Sequence, residues 1–441
     1  MKTSSRTFLP DLLAGLSVSF AALALGAAFG VMSGRGAFAG MIAAGVIPIV
    51  TGLFGGTRLS VSGPTGPMTA VSSVVIALAY DKFGGERLLA EQFITLVFML
   101  TAAGLLLAGL LRTGRLIRFV PKTVILGFMS GIAMVIWVDQ IKVLFGLDGK
   151  EAPTGTMHLN LAYSAITFLL ILTLPKLLAK LNLPKRVAMF IPATLTSIII
   201  MTVITTVFSI DIQHISLGAP VSSLGEFKQM MLSYLPTSRI MTQEHLLMAA
   251  PYALQLIMLG YLDSLLTALI MDHLTSKKSR LDKELVGQGL ANGLSALLGG
   301  IPGAQATIRS VLLFKEGAHT RIGAMSAGVF TLLGLVAFRN SIGLITSAVF
   351  IGVLFKAALD VFEKEFLTLY VKRRWYTSRK RNIQIAFIMY TMLLTAFYDL
   401  NVAVISATIL HYVCKRFWRI ADVEDKLEKA VEEELAKHVR A

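Results

Sequence analysis

Long apolar runs recur along almost the whole chain, separated by short polar or charged connections. Several runs, such as residues 93–111, have roughly the 20 residues that an α-helix needs to cross the hydrocarbon core of a bilayer. The pattern therefore predicts an all-α integral membrane protein. We place about fourteen helical segments near residues 11–33, 37–55, 65–80, 92–111, 121–145, 160–182, 187–209, 247–273, 284–299, 305–316, 322–338, 341–366, 383–398 and 400–418.

The composition supports insertion into a membrane. Of the 441 residues, 55% are hydrophobic and 15% are charged, whereas about 25% of the residues in a soluble chain are charged. So little charge cannot cover the surface of a soluble domain, which excludes secreted, fibrous and disordered classes. Cys414 has no second cysteine to pair with, and the seven histidines lack zinc-motif spacing, so we predict no structural metal.

The net charge of +15 comes from short basic clusters between the apolar runs. A nucleic-acid interface would need one basic face with interleaved aromatic residues, so we predict no nucleic-acid partner. The clusters lie in alternate connections, and the positive-inside rule puts those connections in the cytoplasm together with both termini, including residues 1–10. We predict a multi-pass protein of the inner (plasma) membrane. The clusters are Arg112, Arg115, Arg118 and Lys122; Lys176, Lys180, Lys185 and Arg186; Lys277, Lys278, Arg280 and Lys283; and Lys372, Arg373, Arg374, Arg379, Lys380 and Arg381.

Two predicted segments, beginning at Thr65 and near Gln305, are too short to cross and follow helix-breaking glycine and proline. The Leu-Phe-Gly-Gly sequence at residues 53–56 recurs as Leu-Leu-Gly-Gly at residues 297–300, each just ahead of the third segment of its half. This predicts a duplicated unit of about seven spans. An odd number of spans inverts the second copy, so two interrupted helices can point their ends at one midplane site.

A helix that begins inside the membrane leaves its first N–H groups without helical partners and carries a partial positive charge there. Two such ends that converge form an anion site, and Arg309 adds a full positive charge. The alternative is a pair of Gly/Pro kinks that neighbouring helices stabilise. Two interruptions at corresponding positions favour transport.

Asp263 lies in the apolar run 254–270, where a carboxylate needs a cation. Thr267 is one helical turn later on the same face, and Thr307 of the second short segment could add another oxygen, as hard cations prefer. The alternatives are a structural ion pair with Arg309 and a protonated Asp263. Phe29, in a stretch of small residues, could present its ring edge to an anion or simply pack.

Two further acids, Asp272 and Glu284, adjoin the basic connection after the eighth span. We expect them to be solvated or locally ion-paired.

The chain resembles the SulP family of anion transporters and exchangers over residues 11–418. The motifs that carry the resemblance are Leu-Phe-Gly-Gly-Thr-Arg at residues 53–58, Ser-Gly-Pro-Thr-Gly-Pro at 62–67, Glu-Leu-Val-Gly-Gln-Gly-Leu-Ala-Asn at 284–292 and Gly-Gly-Ile-Pro-Gly at 299–303.

This resemblance implies a seven-plus-seven inverted repeat. A core (spans 1–4 and 8–11) would move against a gate (spans 5–7 and 12–14) in an elevator-like motion. The implied substrate site lies between spans 3 and 10 and is contacted from span 1. Its residues would be Phe29, Thr65, Gly66, Ala306, Thr307, Ile308 and Arg309.

Residues 261–267 and 304–309 look most like the matching segments of sodium-dependent bicarbonate transporters within that family. There the matching Asp and Thr of span 8 and the Thr of span 10 bind Na⁺, whereas proton-coupled relatives tend to carry Glu at the Asp263 position. The predicted Na⁺ site comprises Asp263, Thr267, Gln305, Ala306 and Thr307. Gln305 departs from the family, which has a small residue there.

The sequence thus favours a secondary transporter that symports a small inorganic anion, bicarbonate first, with Na⁺. Proton-coupled or exchange transport of sulfate or a dicarboxylate is the alternative, followed by a passive anion channel. An enzyme is disfavoured because no nucleophile, base and orienting group share a motif. No cofactor is expected, and a homodimer is left open. Residues 419–441 are expected to form a short cytoplasmic helical tail in place of the family's STAS domain.

Overall fold

A computed structural model describes residues 5–119, 121–147, 152–180, 193–215, 224–338, 343–362, 368, 379–398 and 400–418. The predicted tail, residues 419–441, lies outside these ranges. Within them the chain forms fifteen α-helices and two short strands. The helices are α1 (Ser5–Met32), α2 (Ala37–Phe54), α3 (Gly66–Lys82), α4 (Arg87–Leu110), α5 (Lys122–Phe145), α6 (Met157–Lys180), α7 (Ala193–Val207), α8 (Leu224–Ser233), α9 (Gln243–Thr275), α10 (Leu281–Leu297), α11 (Thr307–Lys315), α12 (Arg321–Ala337), α13 (Ser347–Val361), α14 (Arg379–Phe397) and α15 (Leu400–Trp418). The strands are β1 (Ser62–Gly63) and β2 (Ala304–Gln305), and a 3-10 helix, Thr113–Phe119, follows α4.

Each of the fourteen predicted segments overlaps one of these helices. The additional helix, α8, has only ten residues and is too polar to stand out as an apolar run. Of the helices in the described residues, six are long and apolar enough to cross a membrane, namely α1, α2, α4, α5, α6 and α9. The protein is therefore a mostly helical membrane protein, and the number of crossings stays a prediction.

The chain folds into two compact units. The first comprises Met1–Arg115 and Gln140–Lys356, and the second comprises Leu116–Asp139 and Ala357–Ala441. In the first unit α12 packs against α1 and α2, and α10 packs against α2 and α4. A Cβ on Gly40 would collide with the carbonyl oxygen of Gly26, so these glycines allow α1 and α2 to approach closely.

The second unit is built around α14 and α15, which pack against each other. A Cβ on Gly127 of α5 would lie 2.5 Å from the carbonyl oxygen of Ile388, so α5 approaches α14 closely. The Tyr412 hydroxyl of α15 donates to the carbonyl oxygen of Phe119 at 2.9 Å. The candidate site residues all lie in the first unit.

Candidate functional site

The two short helices α3 and α11 begin beside each other. β1 leads into α3 and β2 leads into α11, and the strands pair antiparallel with Ser62 opposite Gln305. The contact continues past the strands, because the N–H of Ala306 donates to the carbonyl oxygen of Val61 at 3.1 Å. The sequence predicted both interruptions but not the strand pair, since two residues are too few to show an alternating pattern.

The start of α3 presents backbone donors. Its N-cap residue Thr65 has an extended backbone, and its side chain does not cap the helix. The Thr65 hydroxyl donates instead to Oδ2 of Asp263 at 3.0 Å. The N–H groups of Gly66 and Met68 precede the first hydrogen bond of the helix ladder, and Pro67 has no N–H. This helix end therefore carries partial positive charge and available donors.

The start of α11 also presents backbone N–H donors. Its N-cap residue Ala306 cannot cap the helix with a side chain. The first backbone bond runs from the Ser310 N–H to the Ala306 carbonyl at 3.0 Å, so the N–H groups of Thr307, Ile308 and Arg309 precede it. Because β1 and β2 pair, the two positive helix ends are held close together.

A cluster of oxygen atoms from α9 faces this strand pair. Thr267 Oγ1 lies 3.1 Å from the carbonyl oxygen of Gln305 and 2.6 Å from Oγ1 of Thr307. One turn earlier, the Ser264 hydroxyl accepts the N–H of Gln305 at 3.2 Å. Asp263 is only 7% exposed. One helix thus places a carboxylate and two hydroxyl groups against both interrupted segments.

The oxygen atoms of this cluster are of the kind that bind a hard cation. A carboxylate, two threonine hydroxyls and a backbone carbonyl are the oxygen ligands that hard cations prefer. The described residues contain no group of three or more His, Cys, Asp or Glu side chains that could hold a metal ion. The single carboxylate of Asp263 would balance one positive charge, so these residues could hold a monovalent cation.

Arg309 reaches from α11 to the segment ahead of α3. Its Nη2 donates to the carbonyl oxygen of Pro64 at 2.8 Å, and the residue is 2% exposed. Its Nε and Nη1 atoms are buried and have no hydrogen-bond partner among the residues that the structure describes. Among the described residues Arg309 forms no ion pair with Asp263. The guanidinium therefore keeps two donors and its charge available beside the helix ends.

The structure separates the other predicted residues into two groups. Phe29 is buried in α1, which packs against both α3 and α11. Gln305 is also buried, and neither atom of its side-chain amide has a hydrogen-bond partner within the described ranges. The side chain of Ile308 is 47% exposed, so it stays outside the buried cluster, and its backbone N–H is what this position can offer.

Glu284 corrects one expectation. It is fully buried, and its Oε2 accepts the N–H groups of Gly56 and Thr57, both at 2.8 Å. Its place in the first turn of α10 also lets the helix dipole stabilise the charge. Solvation in the basic connection was therefore the wrong expectation for Glu284. Asp272 behaves more as expected, because it is partly exposed and accepts the N–H of Ser279 locally at 2.8 Å.

The sequence interpretation also missed a buried ion pair, Arg35 with Glu91. Nη2 of Arg35 lies 2.8 Å from Oε2 of Glu91, and both side chains are 3% exposed. Nη1 of Arg35 donates to the carbonyl oxygen of Gly300 at 2.8 Å, and the Tyr80 hydroxyl donates to Oε1 of Glu91 at 2.7 Å. The pair joins the end of α3 to the segment ahead of β2. The sequence signal that could have indicated this pair is the position of both charged residues at the edges of apolar runs.

Two interrupted helices meet inside this helical membrane protein, and buried charges and oxygen atoms lie at their junction. This arrangement is typical of a membrane transporter of small ions. The model of the sulfate permease family matches residues 8–380. The chain belongs to this family, which is the SulP family that its motifs resemble, and it is an anion transporter, not an enzyme.

Several relatives match nearly the whole chain. The bicarbonate transporter BicA of Picosynechococcus sp. is 31% identical over 435 residues, which cover 91% of this chain and 69% of the relative. BicA of Synechocystis sp. is 34% identical over 416 residues, again 91% of this chain and 69% of the relative. YvdB of Bacillus subtilis, named provisionally as a sulfate transporter, is 31% identical over 421 residues, 92% of this chain and 73% of the relative.

Solved structures agree with this fold. The transmembrane domain of a cyanobacterial BicA matches with a TM-score of 0.75 at 28% identity, over 91% of this chain and 99% of that one. Murine Slc26a9 in an inward-facing state matches with a TM-score of 0.73 at 16% identity, over 94% of this chain and 69% of that one. The second likeness concerns the fold alone.

Proposed function

We propose that the protein is a secondary active transporter that couples uptake of a small inorganic anion to entry of Na⁺, and that bicarbonate is the first candidate substrate. The observation that carries the proposal is the junction of β1 and β2, where two positive helix ends meet the oxygen cluster of Asp263, Thr267 and Thr307. A cation site and an anion site that share one strand pair give a physical basis for coupling.

The cation would bind first to the side of the junction that faces α9. Thr65 and Asp263 share a hydrogen bond, and Thr65 is also the N-cap of α3. A cation that binds Asp263 would therefore bias the position of the α3 start. An anion would then meet the backbone donors of α3 and α11 and the spare donors of Arg309, with its charge balanced by both the bound cation and the guanidinium.

The remaining parts of the proposal concern the whole protein. We propose fourteen spans in a seven-plus-seven inverted repeat, in the plasma membrane with cytoplasmic termini, in which a core (spans 1–4 and 8–11) moves against a gate (spans 5–7 and 12–14). The overlap of each predicted segment with one helix supports the number of segments in this proposal.

Transport of sulfate or a dicarboxylate, coupled to protons or to exchange, is the second candidate. It is favoured by the relatedness to YvdB, which is as similar to this chain as the BicA of Picosynechococcus. The chemistry of the helix ends does not separate these anions, because backbone N–H groups and a guanidinium bind any of them.

The experiment is uptake into proteoliposomes of radiolabelled bicarbonate, sulfate and fumarate, each with and without a Na⁺ gradient and a pH gradient. We expect bicarbonate uptake that requires Na⁺ in the native protein. The control Asp272→Asn should behave in the same way, because it removes a carboxylate from α9, the helix of Asp263, but outside the oxygen cluster. Uptake that ignores Na⁺ at fixed membrane potential would reject sodium coupling, and flux without either gradient would indicate a channel.

A further inference from the structure

One face of α10 carries a row of buried polar residues that contact both interrupted segments. Glu284, Gln288, Asn292 and Ser295 are each 0% exposed and are spaced by three or four residues, so they share one side of the helix. Buried polar groups in a membrane protein are costly without partners. Their partners show what this row does.

The first half of the row holds the segment ahead of α3. Gln288 Nε2 donates to the hydroxyl oxygen of Ser62 in β1 at 2.7 Å and to Oε1 of Glu284 at 3.1 Å. Glu284 in turn accepts the N–H groups of Gly56 and Thr57. Three points of the connection between α2 and α3 are thereby fixed to one helix.

The second half of the row holds the segment ahead of α11. Asn292 Oδ1 accepts the N–H of Gly303 at 2.7 Å, and its Nδ2 donates to the Gly303 carbonyl at 2.9 Å. The Ser295 hydroxyl donates to the carbonyl oxygen of Ile301 at 3.0 Å. Asn292 Nδ2 also donates to the Gln288 carbonyl oxygen. The row therefore spans from one interrupted segment to the other.

We propose that Gln288 is a positioning residue of the transport site, which acts through Ser62 to hold β1, and with it the start of α3, in register with β2 and the start of α11. Ser62 lies opposite Gln305 in the strand pair, so the contact with Gln288 is made where the two segments pair. The inference rests on the proposed site at the helix ends and identifies what sets the spacing of its two halves.

Unsatisfied polar atoms lie beside the row. Within the described part of the chain, Gln288 Oε1 has no hydrogen-bond partner, and neither does the side-chain amide of Gln305. Residues directly opposite each other in an antiparallel pair have side chains on the same face. The side chain of Gln305 therefore lies on the same face of the strand pair as that of Ser62, which Gln288 contacts.

The test compares two buried glutamines. Gln288→Met keeps the side-chain length and removes the bonds to Ser62 and Glu284. Gln92→Met is the matched control, because Gln92 is also buried. Its side chain donates to the Ser233 carbonyl at 2.9 Å and accepts from the Thr237 hydroxyl at 2.8 Å, and both partners lie outside the site. Both variants should lower the thermal unfolding midpoint to a similar extent.

The variants should differ in transport. A hydrogen bond contributes about 1 kcal/mol, or about a fivefold change in an equilibrium constant. We expect Gln288→Met to raise KM for whichever anion, bicarbonate or sulfate, the native protein takes up, about fivefold or more, and Gln92→Met to leave it unchanged. Ser62→Ala should raise KM similarly, and the double variant should be no worse than Gln288→Met alone. Equal KM in all variants, or additive effects, would overturn the proposal.

A second measurement does not depend on substrate, so it separates this inference from the proposed function. Spin labels at exposed Asp81, near the end of α3, and exposed Lys315, at the end of α11, report the spacing of the two helices when Cys414 is replaced by serine. Gln288→Met should broaden or shift the distance distribution, and Gln92→Met should not. An unchanged distribution in Gln288→Met would contradict the positioning role even if the anion were misassigned.

Discussion

Gly63→Ala tests whether the guanidinium of Arg309 must stay where it is. Gly63 has a φ of +150° in β1, and a Cβ there would lie 2.8 Å from Nη1 and 3.2 Å from Nη2 of Arg309. An ordinary contact between such atoms is about 3.5 Å, so the guanidinium would have to move by about 0.7 Å. The bond from Nη2 to Pro64, now 2.8 Å, would then lie at or beyond the limit for a hydrogen bond.

The cost has two parts that a control variant separates. An L-residue at this φ costs about 1–3 kcal/mol of backbone strain, and a lost hydrogen bond to a charged group costs about 1.5–3 kcal/mol. Gly85→Ala supplies the strain alone, because Gly85 has a φ of +108° and nothing lies within 4 Å of its added Cβ. Thermal unfolding should therefore rank the native protein above Gly85→Ala and Gly85→Ala above Gly63→Ala.

Transport gives the sharper comparison. We expect Gly63→Ala to raise the anion KM about tenfold, which corresponds to about 1.4 kcal/mol of lost binding, and Gly85→Ala to leave KM unchanged. The assay is initial-rate uptake in proteoliposomes with equal amounts of folded protein. If Gly63→Ala retains the native KM while losing stability, the guanidinium position does not matter to the anion and our reasoning about Arg309 is wrong.

Three further variants test other contacts of the first unit. Asp263→Asn should remove the Na⁺ dependence of uptake while the protein still folds, and a native Na⁺ response in this variant would contradict the cation site. Gly66→Val should block uptake because a side chain would occupy the space beside the backbone N–H donors of α3. Thr65→Ser keeps the hydroxyl that donates to Asp263, so it should reduce uptake only slightly. Uptake and thermal stability are measured for both variants. Arg35→Ala should cost about 3–5 kcal/mol by leaving Glu91 buried and unpaired, and a nearly native unfolding midpoint would refute this.

The sequence predicted the helices well because membrane insertion selects apolar runs that are directly visible. The two interrupted helices were also predictable, since the glycine and proline residues before Thr65 and before Gln305 cannot continue a helix. The helix α8 was missed because a short amphipathic segment has no long apolar run.

The site was predicted in part. Helical spacing and the repeat predicted that Asp263, Thr267 and Thr307 lie near one another. In the structure Thr267 contacts Thr307, and Asp263 contacts Thr65. The strand pair, the fully buried Glu284 and the bond between Gln288 and Ser62 depend on contacts more than 220 residues apart in the chain. No local pattern encodes such contacts, so an acid beside a basic connection was mistaken for a solvated one.

The coupling of cation and anion in one site is the central claim, and reciprocity tests it most directly. In proteoliposomes clamped at zero membrane potential, an inward bicarbonate gradient should drive uphill uptake of radiolabelled Na⁺, and Asp263→Asn should abolish that uptake while Asp272→Asn retains it. A bicarbonate gradient that moves no Na⁺ through the native protein, although bicarbonate itself enters, would contradict the account.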